Sequence, residues 1–151
     1  VAFFKDANPF GFIVFARNLE NPDQIRALCD DFRTAVGRNA PILIDQEGGR
    51  AQRLRPPLAR NWAPPLDFVR QCATPDAARR AMYLRYRLTA DDLFAVGIDA
   101  NCAPMVDVAG PHTHEFLKNR CYSTDPQVVA DLGRAVADGL LAGGVLPVAT
   151  V

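Results

Sequence analysis

The chain has 151 residues, 49% hydrophobic and 23% charged, the size and composition of an ordinary domain able to bury a core. Its 17 basic and 17 acidic side chains cancel, so no net field draws it to nucleic acid or to an anionic membrane. No apolar run approaches the ~20 residues a membrane helix needs, and the first residues form neither a basic n-region nor a long signal core, so a cytoplasmic protein is expected.

In chain order the sequence alternates strands and helices. Gly11 to Ala16 is an apolar run that predicts a first strand, followed by the short loop Arg17-Asn18-Leu19-Glu20. Asn21 suits an N-cap and Pro22 the first helical position, and Ile25, Leu28, Cys29, Phe32, Ala35 and Val36 recur at spacings of three and four up to Gly37. A second strand is expected over Ile42 to Asp45. The next helix has the same entry chemistry, Thr74 then Pro75, and a stripe through Ala78, Ala81, Met82, Leu88 and Phe94 that Gly97 ends. Between them, the proline-rich stretch Pro56 to Pro65 carries Trp62 and has no period, so it is expected to pack against the rest as an irregular excursion. Ile98 to Met105 predicts a third strand, Asp125-Pro126 opens a helix carrying Val129, Leu132, Val136 and Leu140, and Val145 to Val148 begins a fourth strand.

Repeated β-α units predict a parallel sheet, either open and doubly wound or part of a closed barrel. Two features favour the barrel. No Gly-x-Gly-x-x-Gly follows a strand, and polar groups stand at successive strand ends, Arg17, Asp45 and Asp107, rather than at one switch point. A complete (β/α)₈ barrel usually takes ~250 residues, so the expectation is an α/β chain holding about the first half of a TIM-type barrel, with 1–151 as one partial domain.

The most informative segment is Asp45-Gln46-Glu47-Gly48-Gly49-Arg50-Ala51-Gln52-Arg53, where an apolar strand breaks into a charged loop. The paired glycines let backbone turn sharply beside a ligand, and Asp45, Arg50 and Arg53 offer hydrogen bonds. Other readings stand beside this one: Asp45 as a turn-forming cap, Arg53 and Arg120 as solvated surface arginines, and Asp107 as a carboxylate ordering the loop after the third strand. Glu47 is read as a structural partner of Arg50 or another arginine, and the Arg79, Arg80, Arg85 and Arg87 cluster as a solvated helix face. Cys29, Cys72, Cys102 and Cys121 lack Cys-x-x-Cys spacing and read as reduced thiols, and His112 and His114 lie in a loop without further histidine to complete a metal shell.

The Asp45 to Arg53 segment, preceded by Phe10 to Asn18, strongly resembles the β-N-acetylhexosaminidases of glycoside hydrolase family 3. The resemblance continues through Ala103-Pro104-Met105-Val106-Asp107-Val108 and Asn119-Arg120-Cys121-Tyr122-Ser123, in the expected order over nearly the whole chain. It implies a (β/α)₈ barrel that removes terminal N-acetylglucosamine from muropeptides, with retention, during peptidoglycan recycling in the bacterial cytoplasm. It implies no cofactor. By position, Asp45, Arg53 and Arg120 match the family's sugar-binding residues, types that suit the O4 and O6 edge of a pyranose. After a strand like Val145 to Val148 the family continues with Lys-His, then a mobile loop whose His, assisted by an Asp, is the acid/base, and an Asp nucleophile follows later. This chain has Ala149-Thr150-Val151 there, so no catalytic residue is expected among its 151, and the alternative is a half-barrel that binds sugar or a partner chain without hydrolysis. Asn119 stands where the family usually has Asp, and is expected to orient Arg120 by a weaker hydrogen bond.

Overall fold

A computed structural model describes residues 2–151; Val1, the first residue of the N-terminal stretch, lies outside them. The elements are α1 (Ala2–Ala7), β1 (Phe12–Val14), a 3₁₀ turn (Ala16–Asn18), α2 (Pro22–Val36) and β2 (Ile42–Ile44). A small hairpin follows, β3 (Gln46–Gly48) and β4 (Ala51–Gln52), then α3 (Pro65–Arg70) and α4 (Pro75–Phe94). The chain continues through β5 (Ala100–Asn101), α5 (Glu115–Lys118), α6 (Pro126–Ala142) and β6 (Leu146–Pro147).

The long helices begin where local chemistry starts them. Asn21 Oδ1 accepts from Gln24 N at 3.0 Å, Thr74 Oγ1 from Ala77 N at 3.1 Å, and Asp125 Oδ1 from Gln127 N at 2.8 Å. In each case proline follows the cap, where its missing N–H would have had no partner in the helix. Gly37, at φ +66°, turns the chain out of α2 in the left-handed region.

The four main strands form one parallel sheet in the order β1-β2-β5-β6. Its register brings Ile13, Leu43, Ala100 and Leu146 level on one face. The alternating residues Phe12, Val14, Ile42 and Ile44 are buried in the core with Ile25 and Cys29 of α2 and with Met82, Tyr86 and Leu93 of α4. Helices α4 and α6 pack closely because Gly139 carries no Cβ; one added there would collide with the Tyr83 carbonyl. No helix is long and apolar enough to cross a membrane among the described residues. Because the strands are parallel, their C-terminal ends place Phe15, Asp45, Cys102 and Val148 along one edge of the sheet.

Several expectations are corrected. The first strand ends at Val14, because Phe15 N donates to Asn18 Oδ1 and starts a 3₁₀ turn. The third is only Ala100–Asn101, with Met105 rejoining by an isolated bridge to Thr150; Pro104 has no N–H to continue the ladder. Helix α4 ends at Phe94, short of Gly97, and Leu88 and Phe94, assigned to its buried stripe, are 37% and 59% exposed. Its true buried face runs through Ala78, Met82, Arg85, Tyr86, Thr89, Ala90 and Leu93. Helices α1, α3 and α5 and the β3–β4 hairpin were not foreseen.

Candidate functional site

The segment after β2 is held from beneath by buried amides. Gln46 N donates to Asn101 Oδ1 at 3.0 Å, and Asn101 Nδ2 returns a bond to the Gln46 carbonyl at 3.2 Å. Gln46 Oε1 accepts from Arg53 N and Leu54 N, both at 3.0 Å, and closes the hairpin on itself. Gln52 donates to the Leu54 and Arg60 carbonyls and accepts from Trp62 N. With the side-chain amides of Gln46, Gln52 and Asn101 all engaged, the segment is a fixed platform.

Two ion pairs rise from that platform. Arg53 Nη2 meets Asp45 Oδ2 at 2.6 Å, with side chains 30% and 22% exposed. Arg120 grips Glu47 as a fork, Nε to Oε2 and Nη2 to Oε1, both at 2.8 Å. Glu47 is only 2% exposed. The hydrogen bond to Glu47 is the main reason the Arg120 guanidinium is held above its ordinary pKa, with the charges of Glu47, Asp107 and Asp45 adding to it. Asp45, Glu47, Arg50, Ala51, Arg53, Phe116, Arg120 and Thr150 line one cavity of about 190 Å³. The three candidate sugar ligands, Asp45, Arg53 and Arg120, therefore face a common space, while Glu47 is engaged with Arg120 and not with Arg50.

The rim is built differently from the expectation. Asn119 does not orient Arg120; its Oδ1 accepts from Arg50 Nη2 at 3.0 Å, because the fork of Arg120 is already filled by Glu47. Arg50 lies 4.0 Å over the ring of Phe116, which α5 carries to the cavity edge. Asp107 contributes charge near Arg120, and the loop after β5 is ordered instead by Ala109 N to Ser123 O and by Gly110 N to Thr113 Oγ1. His114 Nδ1 caps α5 by accepting from Phe116 N at 3.1 Å and is not among the residues lining the cavity. Among the described residues no group of three His, Cys, Asp or Glu is placed to hold a metal ion.

Four thiols are free, Cys29 and Cys121 buried and Cys72 and Cys102 partly so. Burial pushes the Cys29 thiol up to about 11. Burial, followed by the neighbouring Asp45 carboxylate, does the same for Cys102, so it stands as a neutral thiol beside the Asp45–Arg53 pair.

Arg85 is the largest departure from the sequence reading. Although the cluster reads as a solvated face, Arg85 is 1% exposed and Arg87 is half-buried against α6, whereas Arg79 and Arg80 are exposed. Its position three residues after Met82 and four before Thr89 places it on the inward face, a signal the period carried although the residue type did not. Trp62 packs edge-on against Phe68 at 6.1 Å, with the Arg85 guanidinium 5.3 Å from its ring, and lies outside the cavity lining.

Comparison with known proteins gives this geometry its context. Residues 3–150 match the profile described as Glycosyl hydrolase family 3 N terminal domain. A protein named beta-hexosaminidase from Xanthomonas oryzae pv. oryzae is 36% identical over 135 residues, 89% of this chain and 40% of its own length. One of the same name from Pseudomonas aeruginosa is 36% identical, with 89% and 38% covered. Native NagZ from Neisseria gonorrhoeae superimposes with a TM-score of 0.86 and 26% identity over 99% of this chain and 45% of that one. Its complex with N-trifluoroacetyl-D-glucosamine gives 0.84 at 27%, with the same coverage. The chain thus spans about two fifths of the relatives it matches. Its four parallel strands and their helices form part of a TIM-type barrel.

Proposed function

The chain belongs to glycosyl hydrolase family 3, and from that premise we propose that it forms the sugar-binding part of a retaining exo-β-N-acetylglucosaminidase. The substrate is a muropeptide ending in N-acetylglucosamine, and the setting is peptidoglycan recycling in the cytoplasm. One observation carries the reading: Asp45, Arg53 and Arg120, drawn from a strand end, a hairpin and a distant loop, face one cavity of about 190 Å³. The two arginines there already bind carboxylates at 2.6 and 2.8 Å, so the site offers fixed donors and an acceptor at once.

In this reading Asp45 accepts from sugar hydroxyls while Arg53 and Arg120 donate to the ring's oxygens. Such contacts hold the reacting carbon in place, and bond cleavage additionally needs a nucleophile and a proton donor. The support is the similarity to proteins named beta-hexosaminidase and to NagZ bound to a glucosamine derivative. Hydrolysis of a nitrophenyl N-acetylglucosaminide by the whole protein, with the anomer of the released sugar followed by NMR, tests it. Release of the β-anomer is expected; no release, or release of the α-anomer, overturns it.

A second reading, binding of sugar or of a partner chain without hydrolysis, is favoured by Thr150. This uncharged residue lines the cavity at the strand end where the family resemblance implies Lys-His. Calorimetric titration with N-acetylglucosamine, run beside the hydrolysis assay, separates the two.

A further inference from the structure

A buried guanidinium is costly unless its donors are used, and Arg85 uses few of them. Only Nη2 is bonded, donating to the Glu47 carbonyl at 2.6 Å, while Nε and Nη1 are buried without a partner. Desolvation accordingly lowers its pKa. Its charge is met by rings: the guanidinium lies 4.8 Å from Phe68, 5.3 Å from Trp62 and 5.6 Å from Tyr86. A well-packed apolar side chain would fill such a space at less cost. What arginine adds is a donor at one atom, the Glu47 carbonyl oxygen.

The same oxygen accepts from Tyr86 Oη at 3.1 Å. Beside Tyr86, Tyr122 Oη accepts from Met105 N at 3.1 Å. Arg85 and Tyr86 thus donate to one carbonyl oxygen from the same helix. Arg120, which Glu47 holds, also approaches Met105 Sδ at 3.5 Å. Gly48, at φ +102°, makes room for Arg85, since a Cβ there would collide with Nη2.

We propose that Arg85 is a positioning residue of the sugar site: by bracing the Glu47 carbonyl from α4 it fixes the Glu47 carboxylate that holds the Arg120 fork toward the cavity. Arg85 is not among the residues lining the cavity. The inference rests on the sugar-binding reading above only for its effect on affinity, not for its effect on Arg120.

Two measurements on the intact chain test it: calorimetric titration with N-acetylglucosamine, and NMR exchange of the Arg120 Nε–H, identified by its loss in Arg120→Ala. Arg85→Met is expected to weaken binding about tenfold, the loss of one charge-assisted hydrogen bond, and to speed Nε–H exchange. Arg85→Lys, which keeps a cationic donor, is expected to recover most of both. In the Arg120→Ala background Arg85→Met should change affinity no further. An equal loss in both backgrounds, or an unchanged Nε–H, overturns the proposal. If Arg85→Met does not fold, Tyr86→Phe removes the companion donor alone; a smaller shift in the same direction supports the proposal, and none overturns it. If the unaltered chain shows no titration, the sugar reading fails, and the Nε–H exchange still decides the role of Arg85.

Discussion

Asp45 and Glu47 stand two residues apart, one at the end of β2 and one on the hairpin that follows, and each carboxylate holds an arginine, yet the two pairs are unlike. The Asp45–Arg53 pair keeps 22% and 30% of its side-chain surface in water and makes a single contact. The Glu47–Arg120 pair is bidentate, its carboxylate 2% exposed, and its backbone is braced from behind by Arg85 and Tyr86. An open pair can exchange its partner for a hydroxyl at little cost, because both ions are already solvated. A closed pair cannot, because separating it strands a charge out of water. On the proposed sugar-binding reading, the difference gives the two carboxylates of one motif different work: Asp45 meets the ligand, and Glu47 holds the arginine that donates to it.

That contrast is broken most severely at its closed end. Glu47→Ala removes the partner of Arg120 and is expected to destabilise the fold by about 3 kcal/mol, the low end for a broken buried pair since Arg120 keeps some contact with water. Denaturant unfolding reads the loss, and a change below about 1 kcal/mol would mean the pair is not closed as described. Gly48→Ala comes next. Its φ of +102° carries a strain of order 1–3 kcal/mol for a residue with a Cβ, and the collision with Arg85 adds to it. The midpoint in urea should fall with the slope unchanged.

Asp45→Asn sharpens the comparison from the open side. It keeps the shape and removes the charge, so N-acetylglucosamine affinity should fall about a hundredfold, two charge-assisted hydrogen bonds' worth. Stability should move by less than about 1 kcal/mol; calorimetry and urea unfolding on the same sample separate the effects. The smallest change is Asn119→Asp. Since Asn119 accepts from Arg50 and not from Arg120, the new charge strengthens an exposed rim contact worth about 1 kcal/mol or less and leaves sugar affinity within about twofold. A larger gain in affinity would show that residue 119 reaches Arg120 after all.

Much of this molecule was legible in residue order. The caps Asn21, Thr74 and Asp125, each followed by proline, begin their helices where expected, since a cap is a bond between residues two or three apart. The alternation of strand and helix, the parallel sheet and the family resemblance came from the same short-range and motif-level signals. The hairpin within the Asp45 to Arg53 segment looks like a loop in sequence, because its strands are three and two residues long and Gln46 and Gln52 look like solvent-facing residues. They are buried, and their amides replace the missing ladder bonds.

What residue order determined by itself is the inventory: which segments coil or extend, and that two carboxylates and several arginines cluster after the second strand. What only tertiary structure decided is the pairing. Glu47 meets Arg120 across 73 positions, Arg85 turns inward across 38 to reach the Glu47 carbonyl, and Asn119 goes to Arg50. Local patterns report the free energy of neighbours along the chain. The choice among several arginines for one buried carboxylate depends on which of them the packed helices bring out of water beside it.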